Sequence, residues 1–211
     1  MASRSARKTK TAATVGSGDL DRQIVDRTLA LAAEVGWDRV RLRRVAADLG
    51  IALAELRARY RDLDAVADAW FARALAAMLA PREVEFADLP ARERVTLVMM
   101  RWFEAQRDGR AVVGQMLRAK LYPSHPHHWV PMVFSLSRLI QWLREAAQLD
   151  APGGRRQVEE VGLTLLFLAT LGVWLKDESA DLAVTRRFLQ QRLADADRLL
   201  GALPRPRRRA A

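Results

Sequence analysis

Apolar residues recur every three or four positions from Ile24 to Leu200, and no stretch shows the sustained alternation of a strand. Ile24, Thr28, Leu31, Ala32 and Val35 share one face of a first helix that Gly36 ends. Leu42, Val45, Ala46 and Leu49 mark a second, short helix closed by Gly50, and Leu53, Leu56 and Tyr60 a third. Asp62 is placed to cap a fourth running to Ala80, with Val66, Trp70, Ala74 and Met78 on one face and Pro81 beyond. After a linker from Pro81 to Pro90, residues 91–108 turn Val95, Val98, Trp102 and Phe103 inward, and 110–121 carry Val112, Val113, Met116 and Leu117. Prolines 123, 126 and 131 make Tyr122–Pro131 a loop. Helices follow over 132–148, over 155–176 after Pro152-Gly153-Gly154, and over 181–200. The spacing predicts an all-α chain of about nine helices.

Charge divides this chain into a balanced body and two basic ends. The net charge is +10, from 35 Lys and Arg against 25 Asp and Glu. Residues 1–18 hold Arg4, Arg7, Lys8 and Lys10, residues 201–211 hold Arg205, Arg207, Arg208 and Arg209, and neither end has an acid. Basic arms fit a polyanion, either nucleic acid or an anionic membrane surface, although charge blocks at termini are also often only solvated. The codon usage of a GC-rich genome is the alternative account of part of the arginine excess.

Absences narrow the chemistry. The chain has no Cys, which excludes disulfides, thiolate nucleophiles and Cys-ligated zinc and suits a reducing cytosol. The first twenty residues lack the apolar core of a secretory signal, so a cytoplasmic protein is expected. The longest uncharged run, Val161 to Leu175, is short for a span and reads as a buried helix, so no stable membrane insertion is expected. No phosphate-cradling glycine loop, Gly-x-Ser-x-Gly elbow or His-Glu-x-x-His occurs, and neither an enzyme nor a cofactor is expected. His125, His127 and His128 stand close together, but their spacing is no recognised ligand pattern and a polar loop is the default.

Two short helices joined through a glycine and packed on a longer first helix are what a DNA-binding helix-turn-helix requires. Leu42–Leu49 is then the crossing helix and Leu53–Arg59 the reading helix. Arg41, Arg43 and Arg44 cluster where guanidinium groups clamp phosphates, and Arg57 and Arg59 lie where an arginine bonds a guanine edge. The same geometry also occurs in helical pairs that bind no DNA.

The residues themselves carry a resemblance. Leu31-Ala-Ala-Glu-Val-Gly-Trp37, Leu42-Arg-Arg-Val-Ala-Ala-Asp-Leu-Gly-Ile51 and Leu56-Arg-Ala-Arg-Tyr60 resemble the N-terminal domain of TetR-type transcriptional regulators, and the chain length and helix count also match. The resemblance implies a helix-turn-helix domain over 19–63 and a helical ligand-binding and dimerisation domain over 64–200, flanked by a basic arm (1–18) and a basic tail (201–211). It implies a homodimer through residues 155–200, a double-stranded DNA operator, and repression released by a small hydrophobic ligand. The DNA-facing residues it assigns are Arg41, Arg43 and Arg44 with Leu53, Ala54, Glu55, Arg57, Ala58, Arg59 and Tyr60. Several positions depart from the family pattern. Val40 and Arg41 replace the usual capping Thr or Ser, Ala54 and Glu55 replace a glycine-threonine pair, Arg57 stands for a tyrosine and Leu63 for a lysine. These changes fit a different operator or a partner other than DNA.

A second stretch, Trp174-Leu-Lys-Asp-Glu-Ser179 with Thr185-Arg-Arg-Phe-Leu-Gln-Gln-Arg-Leu193, resembles the lipid-binding accessory protein of ubiquinone biosynthesis. That resemblance implies the same fold serving isoprenoid lipids without specific DNA binding.

Within the larger domain, Met99, Trp102, Phe103, Met116, Leu117, Phe134, Trp142, Phe167 and Trp174 supply bulky side chains suited to a pocket for an apolar ligand, or to plain core. Gly162, Ala169 and Gly172 share one face of the apolar helix, which fits a close dimer seam or room for ligand.

Overall fold

The computed structural model describes residues 17–81, 84–120 and 129–202. Among them stand nine α-helices and no strand, as the spacing predicts: α1 (Ser17–Val35), α2 (Leu42–Leu49), α3 (Leu53–Arg59), α4 (Leu63–Leu79), α5 (Ala91–Glu104), α6 (Arg110–Lys120), α7 (Trp129–Ala146), α8 (Gly153–Trp174) and α9 (Ala183–Ala202). Short 3-10 turns occupy Trp37–Arg39, Val84–Asp88, Arg107–Gly109 and Ala180–Leu182.

Helix ends differ from expectation where local chemistry tolerates more than a simple rule allows. The loop expected up to Pro131 already becomes helix at Trp129. Pro131 is the third helical residue, where a missing N–H leaves no intrahelical bond unmade. Helix α9 runs to Ala202, past Gly201, since one glycine near a terminus weakens a helix without stopping it. Asp62 does cap α4, accepting from the Ala65 amide at 2.8 Å.

Two apolar clusters hold the chain. The first gathers Ile24, Leu31, Ala32, Trp37, Val45, Leu56 and Val66, and also Val112 and Met116 from α6. The second gathers Met78, Val98, Met99, Trp102, Phe103, Leu143, Phe167, Trp174 and Leu189. Each such fully buried side chain contributes about 1.5–3 kcal/mol. Helix α4 serves both clusters, with Val66 and Ala67 in the first, Ala74 and Met78 in the second, and Trp70 and Phe71 touching both. Met116, expected in the larger domain's pocket, therefore belongs to the N-terminal core, because α6 lies against α1.

Arginines tie the helix ends together. Arg94 on α5 donates to the carbonyls of Ala147 (2.9 Å), Gln148 (3.1 Å), Ala87 (3.0 Å) and Leu89 (3.1 Å), so one guanidinium holds two chain reversals. Arg144 is buried, faces Glu159 at 3.3 Å and Glu160 at 3.4 Å, and donates to the Leu149 and Ala151 carbonyls, fixing the turn from α7 into α8. Helix α8 is long and apolar enough to cross a membrane by length and composition, yet Leu163, Phe167 and Trp174 on its inner face are buried in the second cluster, and Thr170 is buried too.

Candidate nucleic-acid interface and ligand core

The helix-turn-helix is built without side-chain caps on α2 or α3. What ends α2 is Gly50 at φ 67°, whose N–H, like that of Ile51, bonds back into the last turn. A left-handed residue there turns the chain sharply enough to start α3 three residues later. Val45, Ala46 and Leu56 then pin both helices to α1. Arg27 on α1 reaches Asp48 on α2 through Nε at 2.8 Å and Nη2 at 2.6 Å.

On α3, only Leu56 is buried, while Leu53, Ala54, Glu55, Arg57 and Ala58 are exposed. Ala54 and Ala58 face directly away from Leu56, with Glu55 on one flank and Arg57 on the other. Arg59 and Tyr60, expected on the reading surface, turn instead toward α1: Arg59 donates to Asp21 at 2.8 Å, and burial, aided by the Asp21 charge, pushes the Tyr60 phenol above its ordinary pKa. Arg43 is exposed, Arg44 pairs loosely with Glu34 at 3.6 Å, and Arg41 donates to the Asp38 and Val40 carbonyls at 2.9 and 3.0 Å. Arg41 thus stiffens the turn into α2 as well as lying beside Arg43.

Of the expected pocket residues, Met99, Trp102, Phe103, Phe167 and Trp174 come together in the second cluster, with Leu117 half-buried against it. Their rings fill one another's space: Trp102 meets Phe167 at 4.9 Å and Phe103 at 5.2 Å, and Phe103 meets Phe167 and Trp174 at 5.5 Å between centroids. Two buried polar atoms, Nε1 of Trp174 in this group and Oε1 of Gln106, whose amide nitrogen donates to the Trp102 carbonyl, have no hydrogen-bond partner among the described residues. Trp142 stands apart, 50% exposed, because Ile140 and Leu143 take the inward positions of α7. The side chain of Phe134, the histidines 125, 127 and 128, residues 1–16 and residues 203–211 lie outside the described residues.

The chain is similar to the solved structure of a TetR transcriptional regulator from Nitrosomonas europaea, at 39% identity over 84% of this chain and 98% of that one, with a TM-score of 0.75. The chain belongs to the TetR family of transcriptional regulators. A tetR-family regulatory protein from Rhodococcus RHA1 is a looser match, at 17% identity over 82% of this chain and 95% of that one, with a TM-score of 0.49. A family model described as COQ9 matches residues 161–200. No curated protein matches the chain.

In this TetR-family protein the COQ9-like stretch contains a buried carboxylate just beyond the end of α8. Asp177 accepts from the amides of Ser179 (2.9 Å) and Thr185 (2.7 Å) and from both their hydroxyls. Burial works to raise its pKa, but these bonds prevail and hold it at about 2. The carboxylate thereby fixes the start of α9 against the end of α8. The outer face of α8 carries a second feature that the sequence hid within its general apolarity. Val158, Val161, Leu165 and Leu168 form an exposed stripe, with open space around Gly162 and Gly172. Among the described residues no group of His, Asp and Glu is placed to hold a metal ion.

Proposed function

We propose that this TetR-family protein is a cytoplasmic, homodimeric repressor that reads a double-stranded DNA operator with α3 and releases it when a small hydrophobic ligand enters the larger core. The observation that carries the reading is the outward surface of α3. Arg57 suits a guanine edge, Glu55 suits the amino group of cytosine, and Leu53, Ala54 and Ala58 suit thymine methyls. Arg41, Arg43 and Arg44 at the head of α2 supply phosphate contacts, and the basic segment 1–18 adds more. Arg59 and Tyr60 act as positioning residues. The Trp102, Phe103, Phe167 and Trp174 group is the ligand site, opened when an apolar ligand displaces a ring and its polar end meets Trp174 Nε1 or Gln106 Oε1. The apolar stripe of α8 supports a dimer through residues 155–200.

The match of residues 161–200 to COQ9 favours a second reading, a lipid-binding accessory protein of quinone biosynthesis on the same fold. Selection of bound sequences from genomic fragments, followed by mobility shifts at fixed salt, separates the two. The first reading expects one preferred site, with Arg57→Ala costing about 1–3 kcal/mol and relaxing preference at one position. Absence of any preferred site, together with co-purified isoprenoid lipid, overturns it in favour of the second.

A further inference from the structure

A cleft of about 650 Å³ opens where the turn Trp37–Arg39 meets α6, away from both α3 and the aromatic core. The Trp37 amide donates to Gln115 Oε1 at 2.7 Å, a bond spanning 78 positions that joins the helix-turn-helix unit to α6. Beneath it Val112 and Met116 are buried in the N-terminal cluster, so α6 is firmly seated there. With its oxygen engaged by Trp37, the Gln115 amide nitrogen keeps two hydrogens to donate.

The charge in this cleft is unbalanced. Arg39 and Arg118 both line it, and Asp38 is the one acid among its lining residues. Arg118 donates Nε to the Gly114 carbonyl of its own helix at 3.1 Å, and neither arginine pairs with a carboxylate among the described residues. Elsewhere around α1 the arginines are matched: Arg27 with Asp48, Arg59 with Asp21 and Arg73 with Asp26. Guanidinium forks are shaped for carboxylate and phosphate oxygens, and a cleft of this volume takes a small organic molecule.

We propose that this cleft binds a small carboxylate- or phosphate-bearing anion between Arg39 and Arg118. The anion braces the turn Trp37–Arg39 against α6, the helix that shows apolar residues to both clusters. It is therefore chemically and spatially distinct from an apolar ligand of the aromatic core.

The test is calorimetric titration of the full chain with citrate and with inorganic phosphate, at ionic strength held constant with NaCl. Saturable binding of one anion per chain is expected for at least one of the two. Arg39→Gln and Arg118→Gln should each weaken it tenfold or more, and the double variant should abolish it. Arg118→Lys, which keeps the charge and loses the fork, should fall between. Arg187→Gln, at an exposed arginine on α9, should bind as the original chain does. Both cleft arginines are exposed, so the variants should melt at unchanged temperatures without anion. Heats that never saturate, or equal affinity in the double variant, overturn the proposal. So does a chain that binds neither probe while the double variant loses affinity for arbitrary duplex DNA, which would assign the pair to backbone phosphates. Operator selection is measured separately and stands or falls without this result.

Discussion

Arg59, the last residue of α3, donates through Nη1 to Asp21 Oδ1 on α1 at 2.8 Å. Two further pairs repeat this arrangement around the same helix. Arg27 of α1 holds Asp48 of α2, and Arg73 of α4 holds Asp26 of α1 while also donating to the Arg22 carbonyl at 2.9 Å. Helix α1 is thus bonded to each of the three helices that follow it, and the direction in which α3 points is set by charge-assisted bonds as well as by Leu56.

The Arg59 pair is partly exposed, so Arg59→Ala should cost no more than about 1 kcal/mol of stability. Its larger effect should be on orientation. Affinity for the preferred DNA site should fall several-fold with no change in which sequence is preferred, whereas Arg57→Ala should change the preference itself. Site selection on both variants checks this. A new preference in Arg59→Ala would mean that its guanidinium reads a base.

Asp177 gives the chain a defined acid sensitivity. An Asp whose folded pKa sits near 2, below its ordinary 3.8, adds stability that is fully present above about pH 4 and is lost as pH falls toward 2. Asp177→Asn keeps one acceptor but sets an amide against donors from Ser179 and Thr185. A loss of about 2 kcal/mol at neutral pH is expected. Denaturant melts of both proteins across pH 2 to 6 should show the gap narrowing below pH 4. A gap independent of pH would show that the carboxylate charge is not what the four bonds stabilise.

The helices and the candidate interface were legible in the sequence to different degrees. Spacing found α2 because Leu42, Val45, Ala46 and Leu49 repeat on one face, found α3 from Leu53, Leu56 and Tyr60, and Gly50 marked the end of α2. Spacing did not separate Arg57 from Arg59, since both are arginines on one short helix and only the partner, Asp21, lies 38 positions from Arg59. Met116 followed the periodicity of α6 but not its destination, because α6 shows apolar residues to both clusters: Val112 and Met116 to one, Val113 and Leu117 to the other. Trp142 shows the converse, a bulky residue that periodicity left ambiguous and that Ile140 and Leu143 displace outward. Asp177 was visible as an acid near a helix end, but its burial depends on a backbone that curls Thr185 over it.

Gly109 tests the joint between the clusters. A Cβ on it would stand 2.8 Å from Cζ2 of Trp70, one of two α4 residues packed against both cores. Trp70 cannot retreat without disturbing one core or the other. Gly109→Ala is therefore expected to destabilise by about 1–3 kcal/mol, the range for overpacking. Calorimetric melting checks the value, and Trp70→Leu, which vacates the space, should restore part of the loss in the double variant. Additive losses would show that the two positions do not press on each other.

The outer face of α8 bears on assembly. Val161 and Leu165 are 61% and 64% exposed, one turn apart, and flank Gly162, which has nothing within 4 Å of a built Cβ. An apolar stripe interrupted by glycines lets a second helix approach closely, and a two-fold pairing of such stripes buries both copies at once. Leu165→Arg should therefore leave the melting of a single chain intact while converting a dimer to a monomer by light scattering. Two reading helices on one rigid dimer engage half-sites about one helical turn apart, so the monomer should also lose most operator affinity. Leu97→Arg, an equally drastic change at an exposed leucine of α5, should leave assembly unchanged. A Leu165→Arg protein that still runs as a dimer would move the seam off this face of α8.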